Sequence, residues 1–394
     1  MQLELTGQQR SLRDELRAYF ATLMTADERE TLLTDRHGDL FRDVVKRMGR
    51  DGWMGVGWPE EYGGRGFGEI EQQIFANEAA RADIPLPSVT LSTVGPTLQA
   101  YGTEKQKQLF LRKILTGDVH FAIGYTEPDA GTDLASLSCT AQLVEGEGEP
   151  HYLVNGQKTF TTGGHEADYV WLAVRTDSAA PKHKGISVLI VDTTDPGYSW
   201  TPIITCDGAH HVNATYYNDV KVPVDMLVGE ENAGWKLITT QLNHERVMLG
   251  PAGRIEGVRD QVRDWCAGRV TPSGEPLLAQ PDVRRVLAEV AAAIRINELL
   301  NWQVAAAGAS GPVTVADASA SKIFSSDRIQ HLGRALSELV ATYGDPADRE
   351  TGRLMRWLDS HAKRNLVLTF GGGVNEVQRE LVAMTGLGLP RVPR

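Results

Sequence analysis

The chain has 394 residues, is 41% hydrophobic and 23% charged, and carries a formal net charge of −11. That length supplies two or three cores, the composition is that of an ordinary soluble protein, and an acidic balance without a basic stripe excludes a nucleic-acid backbone binder. Cys139, Cys206 and Cys266 lie far apart, the ten histidines form no HExxH, and His210-His211 is a lone pair, so no metal is expected. No apolar run approaches the roughly 18 residues of a membrane span. The polar start Met1–Thr6 does not read as a leader, and a reduced, cytoplasmic setting is the expectation.

The first third reads as helical. Thr6-x-x-Gln9 is a capping-box start for a helix with Leu12, Leu16, Tyr19, Phe20 and Leu23 on its periodic face. Further helices are predicted at about Leu40–Met48, at Glu69–Arg81, and from the Thr103-x-x-Gln106 cap to Gly117. The loop Gly55–Gly66 is glycine-rich, but no strand precedes it and the spacing is not GxGxxG, so it reads as a chain turn. From about Val119 the period becomes alternating. Strands are predicted at His120–Thr126, Ser138–Val144, Tyr169–Arg175, Ile186–Asp192, Ser199–Ile204 and Ala214–Val222. Tyr152–Phe160 reads as a hairpin around Asn155-Gly156. About eight short strands in 100 residues predict a small barrel or sandwich. The helical period returns after Val228-Gly229: Gly234–Gly250, then to Ala267, Asp282–Ala307, Val315–Tyr343, Arg349–Arg364 and Asn375–Met384, with a turn at Gly308–Pro312. Helices, then strands, then helices is not a βα alternation, so an α+β architecture is expected and a Rossmann domain is not.

In Gly234–Gly250, Ile238, Leu242, Glu245 and Leu249 are spaced four, three and four apart and share one face. Three are apolar and the fourth is a carboxylate. An ionised Glu on an inward face needs a partner or a raised pKa. Glu245 is therefore either a general base or one half of a structural ion pair with Arg246 or Arg254. The loop Tyr125-Thr126-Glu127-Pro128-Asp129-Ala130-Gly131-Thr132-Asp133 has hydroxyls and a glycine suited to an anion or a heterocycle edge, and equally reads as a capped Pro-Asp turn.

That loop resembles the TEPxAGSD segment of the acyl-CoA dehydrogenases. Asn155–Gly164 resembles their NGxKxWITNG, Gly229–Trp235 their GEENxGW, and Gly372–Arg379 their closing EGTxxIQR. The resemblance runs in order over essentially the whole chain. It implies an N-terminal helical domain (1–118), a middle small β-barrel (119–228) and a C-terminal four-helix bundle (229–394). It also implies FAD, with Tyr125, Thr126, Gly131, Thr132, Phe160, Thr161 and Thr162 on the cofactor: Thr126 at the pyrimidine edge, Thr132 at a phosphate, Phe160 shielding the ring in place of a tryptophan, and Thr162 near the reactive nitrogen. The substrate implied is an acyl-CoA, contacted by Asn243 and Arg246, with electron-transfer flavoprotein as acceptor.

Most straight-chain members carry the catalytic base as the glutamate of the closing motif. Here that position is Gly372. A smaller group carries it at the position of Glu245, so the resemblance assigns Glu245 as the α-proton base and Gly372 N–H as a donor to the thioester carbonyl. Asp282–Ala288 has Arg but no Phe in register for the family's RxxF, Gln330–Ser337 lacks the paired glycines of QxxGGxG, and Val374 replaces a threonine. The same losses, and the LNHERV and ATYYNDVKVP segments, resemble the α subunits of actinobacterial α2β2 steroid side-chain dehydrogenases. A second homologous chain and a steroid side-chain CoA ester are thus expected, with fatty or branched acyl-CoA oxidation or a non-catalytic CoA-ester-binding subunit as alternatives. Gly250-Pro251, just past the base, is expected to break the helix and widen the acyl pocket.

Overall fold

The computed structural model describes residues 4–146, 148–248, 250–310 and 313–391, and the side chains of residues 242–248 and 308–310 fall outside that description. Among the described residues, six helices precede the strands: α1 (Gly7–Leu23), α2 (Ala26–Thr31), α3 (Asp39–Arg50), α4 (Glu69–Arg81), α5 (Gly95–Tyr101) and α6 (Glu104–Thr116). The strands are β1 (Phe121–Gly124), β2 (Thr140–Val144), β3 (His151–Thr162), β4 (Tyr169–Arg175), β5 (Ile186–Asp192), β6 (Tyr198–Ile204), β7 (His210–Pro223) and β8 (Leu227–Val228). Six helices follow: α7 (Gly234–Met248), α8 (Gly253–Ala267), α9 (Pro281–Ser310), α10 (Val315–Tyr343), α11 (Arg349–Asn365) and α12 (Asn375–Leu381). No helix among the described residues is long and apolar enough to cross a membrane.

The backbone packs into two compact units that do not follow chain order. One comprises Met1–Ala26, Phe67–Pro85 and Glu245–Arg394, the other Asp27–Gly66 and Leu86–His244. In the first, α1 starts where Thr6 Oγ1 accepts the Gln9 N–H and Gln9 Oε1 accepts the Thr6 N–H, so both capping bonds form. Leu12, Leu16, Phe20 and Leu23 are its buried stripe. α1 packs on α4, and α4 on α8 and α9. Arg17 spans these elements, bonding Glu78 at 2.7 Å and reaching Glu256 at 3.4 Å. The bundle core is built from α8 to α11, with Val258, Val262, Val290, Leu332, Leu336 and Leu358 buried together. Pro251 does not kink one continuous helix: α7 and α8 are separate helices with the proline between them. The described residues around that break, from Gly250 and Pro251 to Leu368, bound only about 10 Å³ of space.

In the second unit the strands form one sheet ordered β6-β7-β3-β2-β4-β5-β8, and β1 pairs with β4 in parallel. Ala122, Val154, Val170, Leu172, Leu189, Val191 and Val220 fill its core. The predicted hairpin at Asn155-Gly156 does not form. β3 runs unbroken from His151 to Thr162, paired with β2 on one side and β7 on the other. Gly156 instead takes a φ of +149° at a bulge between Val154 and Gly156, where an added Cβ would lie 2.8 Å from Cys139. Two long partners outweigh the local turn preference of Asn-Gly. Val89–Tyr101 is also helical, a wide turn followed by α5, although its threonines and Pro96 show no clear helical period.

Candidate functional site

Each unit contributes its own group of residues. In the sheet-containing unit, β1 ends at Gly124 and the next nine residues form the loop flagged in the sequence. Glu127 and Ala130 exchange N–H···O bonds at 3.0 and 3.2 Å, closing a tight turn over Pro128-Asp129. The loop is joined to β3 where Thr159 N–H donates to Thr126 O at 2.8 Å. This brings Thr126 beside Thr159, the residue that precedes Phe160.

The anchor beneath this pairing is a charged pair. Lys158 is 0% exposed and Glu127 is 5% exposed. Lys158 Nζ donates to Glu127 Oε1 at 2.8 Å and to Tyr125 O at 3.2 Å. Ser138 N–H and Oγ–H donate to Glu127 Oε2 at 2.6 and 2.8 Å, and Cys139 N–H to Oε1 at 2.8 Å. Burial pushes the Glu127 carboxyl up, but the Lys158 charge, its hydrogen bond and the backbone donors outweigh it, and the carboxyl sits below its ordinary value. Burial lowers the Lys158 ammonium from its ordinary value while the Glu127 carboxylate opposes that shift, and the pair fixes the loop to the strand.

Along β3 the side chains alternate. Thr161 is fully buried and its hydroxyl meets Thr215 Oγ1 at 3.1 Å, so of the expected cofactor contacts its side chain faces into the sheet. Thr162 is exposed, and Phe160 is 60% exposed. Phe160 also holds a φ of +57°, at a register shift between Lys158 and Thr161. A left-handed conformation costs an aromatic residue about 1–2 kcal/mol, so the sheet spends energy to hold a bare ring outward. Gly131 and Thr132 are exposed at the loop's far end. Tyr125, also expected on the cofactor, has its hydroxyl bonded within the unit. Its hydroxyl accepts the Trp171 indole N–H at 3.1 Å and donates to Gln241 Oε1, tying the sheet to α7.

In the other unit the closing glycines form a pinned loop. Gly372 and Gly373 take φ of +67° and +96°, so a side chain at Gly372 would be strained. Lys322 of α10, 1% exposed, donates to Gly373 O and to Asn375 Oδ1, both at 2.7 Å. Asn375 donates onward to Ser326 and Asp327, and Gln378 accepts from Ser319 at 2.8 Å. Asn243, Glu245 and Arg246 lie in α7, and their side chains are outside the described residues. Among the described residues no group of His, Cys, Asp and Glu could hold a metal ion.

Glu127, Lys158 and Lys322 were not singled out in the sequence, although a signal existed. Lys158 falls in phase with inward-facing Tyr152 and Val154 on β3. Lys322 sits between Ala318, Ile329, Leu332 and Leu336 on the buried face of α10. A charge on an apolar face drew attention to Glu245, and the same test applied here finds both lysines.

Three family signatures match in order: acyl-CoA dehydrogenase N-terminal domain over residues 6–118, middle domain over 122–220 and C-terminal domain over 232–387. The acyl-CoA dehydrogenase FadE29 of Mycobacterium tuberculosis is 62% identical over the whole of both chains. This chain belongs to the acyl-CoA dehydrogenase family. FadE26 of the same organism is 48% identical, again over both full chains. Among solved structures, the ChsE4-ChsE5 complex from Mycobacterium tuberculosis matches at 47% identity with a TM-score of 0.89, covering all of each chain. The Tcur3481-Tcur3483 steroid ACAD matches at 46% identity with a TM-score of 0.91, also covering all of each chain. The helical N-terminal, middle β-sheet and helical C-terminal regions of this acyl-CoA dehydrogenase are those of its family.

Proposed function

We propose that this acyl-CoA dehydrogenase is an FAD-dependent subunit that oxidises the side chain of a steroid CoA ester, with Glu245 as its base. The observation that carries the base assignment is Gly372. At the closing motif there is no side chain to take a proton, and a φ of +67° disfavours one. Glu245 is then the carboxylate that the family pattern leaves for the task, four residues after buried Gln241 on α7.

The residues present suit a flavin. An outward aromatic ring on a strained backbone, the neighbouring Thr162, and the Thr126–Thr132 loop pinned by a buried ion pair make a rigid face for a planar heterocycle and its phosphates. Phe160, Thr126, Gly131, Thr132 and Thr162 would hold it, with Thr161 contributing through its backbone. Bound FAD supplies the hydride acceptor. The chain's part is to remove the α-proton with Glu245, to stabilise the enolate-like thioester oxygen with Gly372 N–H, and to hold the CoA portion with Arg246 and Asn243.

The steroid substrate is supported by the similarity to a structure described as a steroid ACAD. A second, different chain is supported by the paired names of both neighbours, by the missing RxxF and QxxGGxG motifs, and by uncovered apolar side chains beside the closing glycines: Val367 is 55% and Phe370 59% exposed. We assign an α2β2 assembly in the cytoplasm with electron-transfer flavoprotein as acceptor.

The test is Glu245→Gln in the complex purified with its second chain. Flavin content should hold while turnover of a steroid side-chain CoA falls about 10³-fold; unchanged turnover would mean the base lies elsewhere. Faster oxidation of octanoyl-CoA than of the steroid ester would point to ordinary fatty-acid oxidation. Stoichiometric FAD in the lone chain would remove the need for a partner.

A further inference from the structure

The junction between α7 and α8 is held by side chains that the proposed chemistry does not use. α7 ends at Met248 and α8 begins at Gly253, and the last carbonyls of any helix lack intrahelical donors. Gly250 lies in that junction. Its carbonyl accepts two hydrogen bonds, from Asn297 Nδ2 and Asn301 Nδ2, each at 3.0 Å. The two asparagines are four residues apart on α9 and face inward together. They are 4% and 1% exposed. Ser321 of α10 donates its hydroxyl to Asn301 Oδ1 at 3.0 Å. That bond needs an acceptor, so it fixes which end of the carboxamide faces Gly250. Asn297 Oδ1 has no hydrogen-bond partner among the described residues. On another side of Gly250, a Cβ would lie 2.2 Å from Ser325 Oγ, so α10 closes directly on the backbone.

Two asparagines buried in the middle of a helix are an expensive way to fill a bundle seam. Alanine or leucine would pack it without polar groups to satisfy. What the arrangement secures is the position of one carbonyl, five residues past Glu245.

We propose that Asn297 and Asn301 are positioning residues for the reaction: by clamping the Gly250 carbonyl they set the register of the final turn of α7 and so the placement of the Glu245 carboxylate. The inference rests on the assignment of Glu245 as base. Asn301, oriented by Ser321, carries more of the effect than Asn297. A base displaced by about 1 Å is enough to lower turnover by up to about 100-fold.

The experiment uses the flavin-loaded complex and the variants Asn301→Leu, Asn297→Leu with Asn301→Leu, and the milder Ser321→Ala. Turnover is expressed per bound flavin, so a loss of folded or loaded protein does not count. For Asn301→Leu the expected result is a fall in kcat of at least about tenfold with KM changed less than about twofold. The kinetic isotope effect from α-deuterated substrate should rise. Amide exchange in the peptide spanning residues 242–253 should quicken. Ser321→Ala should move the same readouts in the same direction by a smaller factor. A merely structural role would lower thermal stability and leave kcat per flavin and the isotope effect unchanged, and that result overturns the proposal. Glu245→Gln separates the two ideas. If it is inactive while the asparagine variants keep full kcat, the clamp alone is wrong. If it keeps full activity, the base assignment fails and the clamp fails with it.

Discussion

Replacing Lys158 with methionine removes the one cation that, among the described residues, the buried Glu127 carboxylate touches, while nearly preserving volume. Glu127 keeps the donors of Ser138 and Cys139 but loses its counter-charge in a site that is 5% exposed. Breaking a buried pair by removing one partner costs about 3–5 kcal/mol. At about 2–4 °C per kcal/mol for a unit of this size, the melting temperature should fall by about 6–20 °C. Glu127→Gln should be comparably harmful, because it strands the ammonium. The double variant should recover part of the loss, with a coupling energy of at least about 2 kcal/mol in the cycle. The pH dependence has a defined sign. In the native protein the Glu127 carboxyl lies below its ordinary value, so its contribution is complete above about pH 4.3 and fades as pH falls through the lower folded value. Without Lys158, burial is no longer outweighed and the carboxyl moves up. The folded variant then takes up a proton before the unfolded chain does, and its deficit against wild type should shrink between pH 7 and pH 5. Denaturant titrations at those two pH values measure this. Strictly additive single losses, or a deficit that grows on acidification, would show that the pair does not anchor the loop.

Tyr125→Phe should cost about 1 kcal/mol through the lost bonds to Gln241 and Trp171, and flavin affinity measured by titration should stay unchanged; a tenfold weaker flavin would mean that the hydroxyl reaches the cofactor after all. Lys322→Met should release the Gly371–Gly373 loop and lower kcat by about ten- to a hundredfold with little change in flavin content, so wild-type kcat would remove Lys322 from the positioning of Gly372. His37 and His120 should both contribute to acid stability. Burial and neighbouring histidines lower His37 to about 3, and burial and Arg42 lower His120 to about 4. Both stay neutral in the fold while the unfolded chain protonates near 6.5, so stability is kept above that pH and lost below it. At pH 5.5 the combined loss is roughly 3 kcal/mol. Denaturation midpoints of His37→Gln with His120→Gln should vary less between pH 7 and 5.5 than those of wild type, and an equal pH slope would exclude these two groups.

Much of the architecture was legible because it rests on local physics. Thr6 and Thr103 each precede a Gln by three residues, and both cap helices as that spacing requires. Glu69–Arg81 and Val315–Tyr343 form helices with the bounds read from the sequence. The strand at Tyr169–Arg175 is buried almost throughout and reads as a continuous apolar run. The departure at β3 is equally local in origin. Asn155-Gly156 has the residues of a hairpin turn, but β7 supplies a partner along nearly the whole of β3, and the glycine is used where Cys139 leaves no space for a side chain. The hydroxyl of Tyr125 bonds Trp171 and Gln241, which lie far away in sequence.

The order of helices and strands, the identity of the family and the glycine that replaces a glutamate at the closing motif were all determined by the sequence alone, since each depends on residue type and spacing. What only the tertiary structure decided is which charges are paired and which carbonyls are held: Lys158 on Glu127, Lys322 on Gly373, and Asn297 with Asn301 on Gly250. Periodicity reports that a side chain faces inward. The group it meets there is supplied by a segment tens to hundreds of residues away, and only packing brings the two within hydrogen-bond distance.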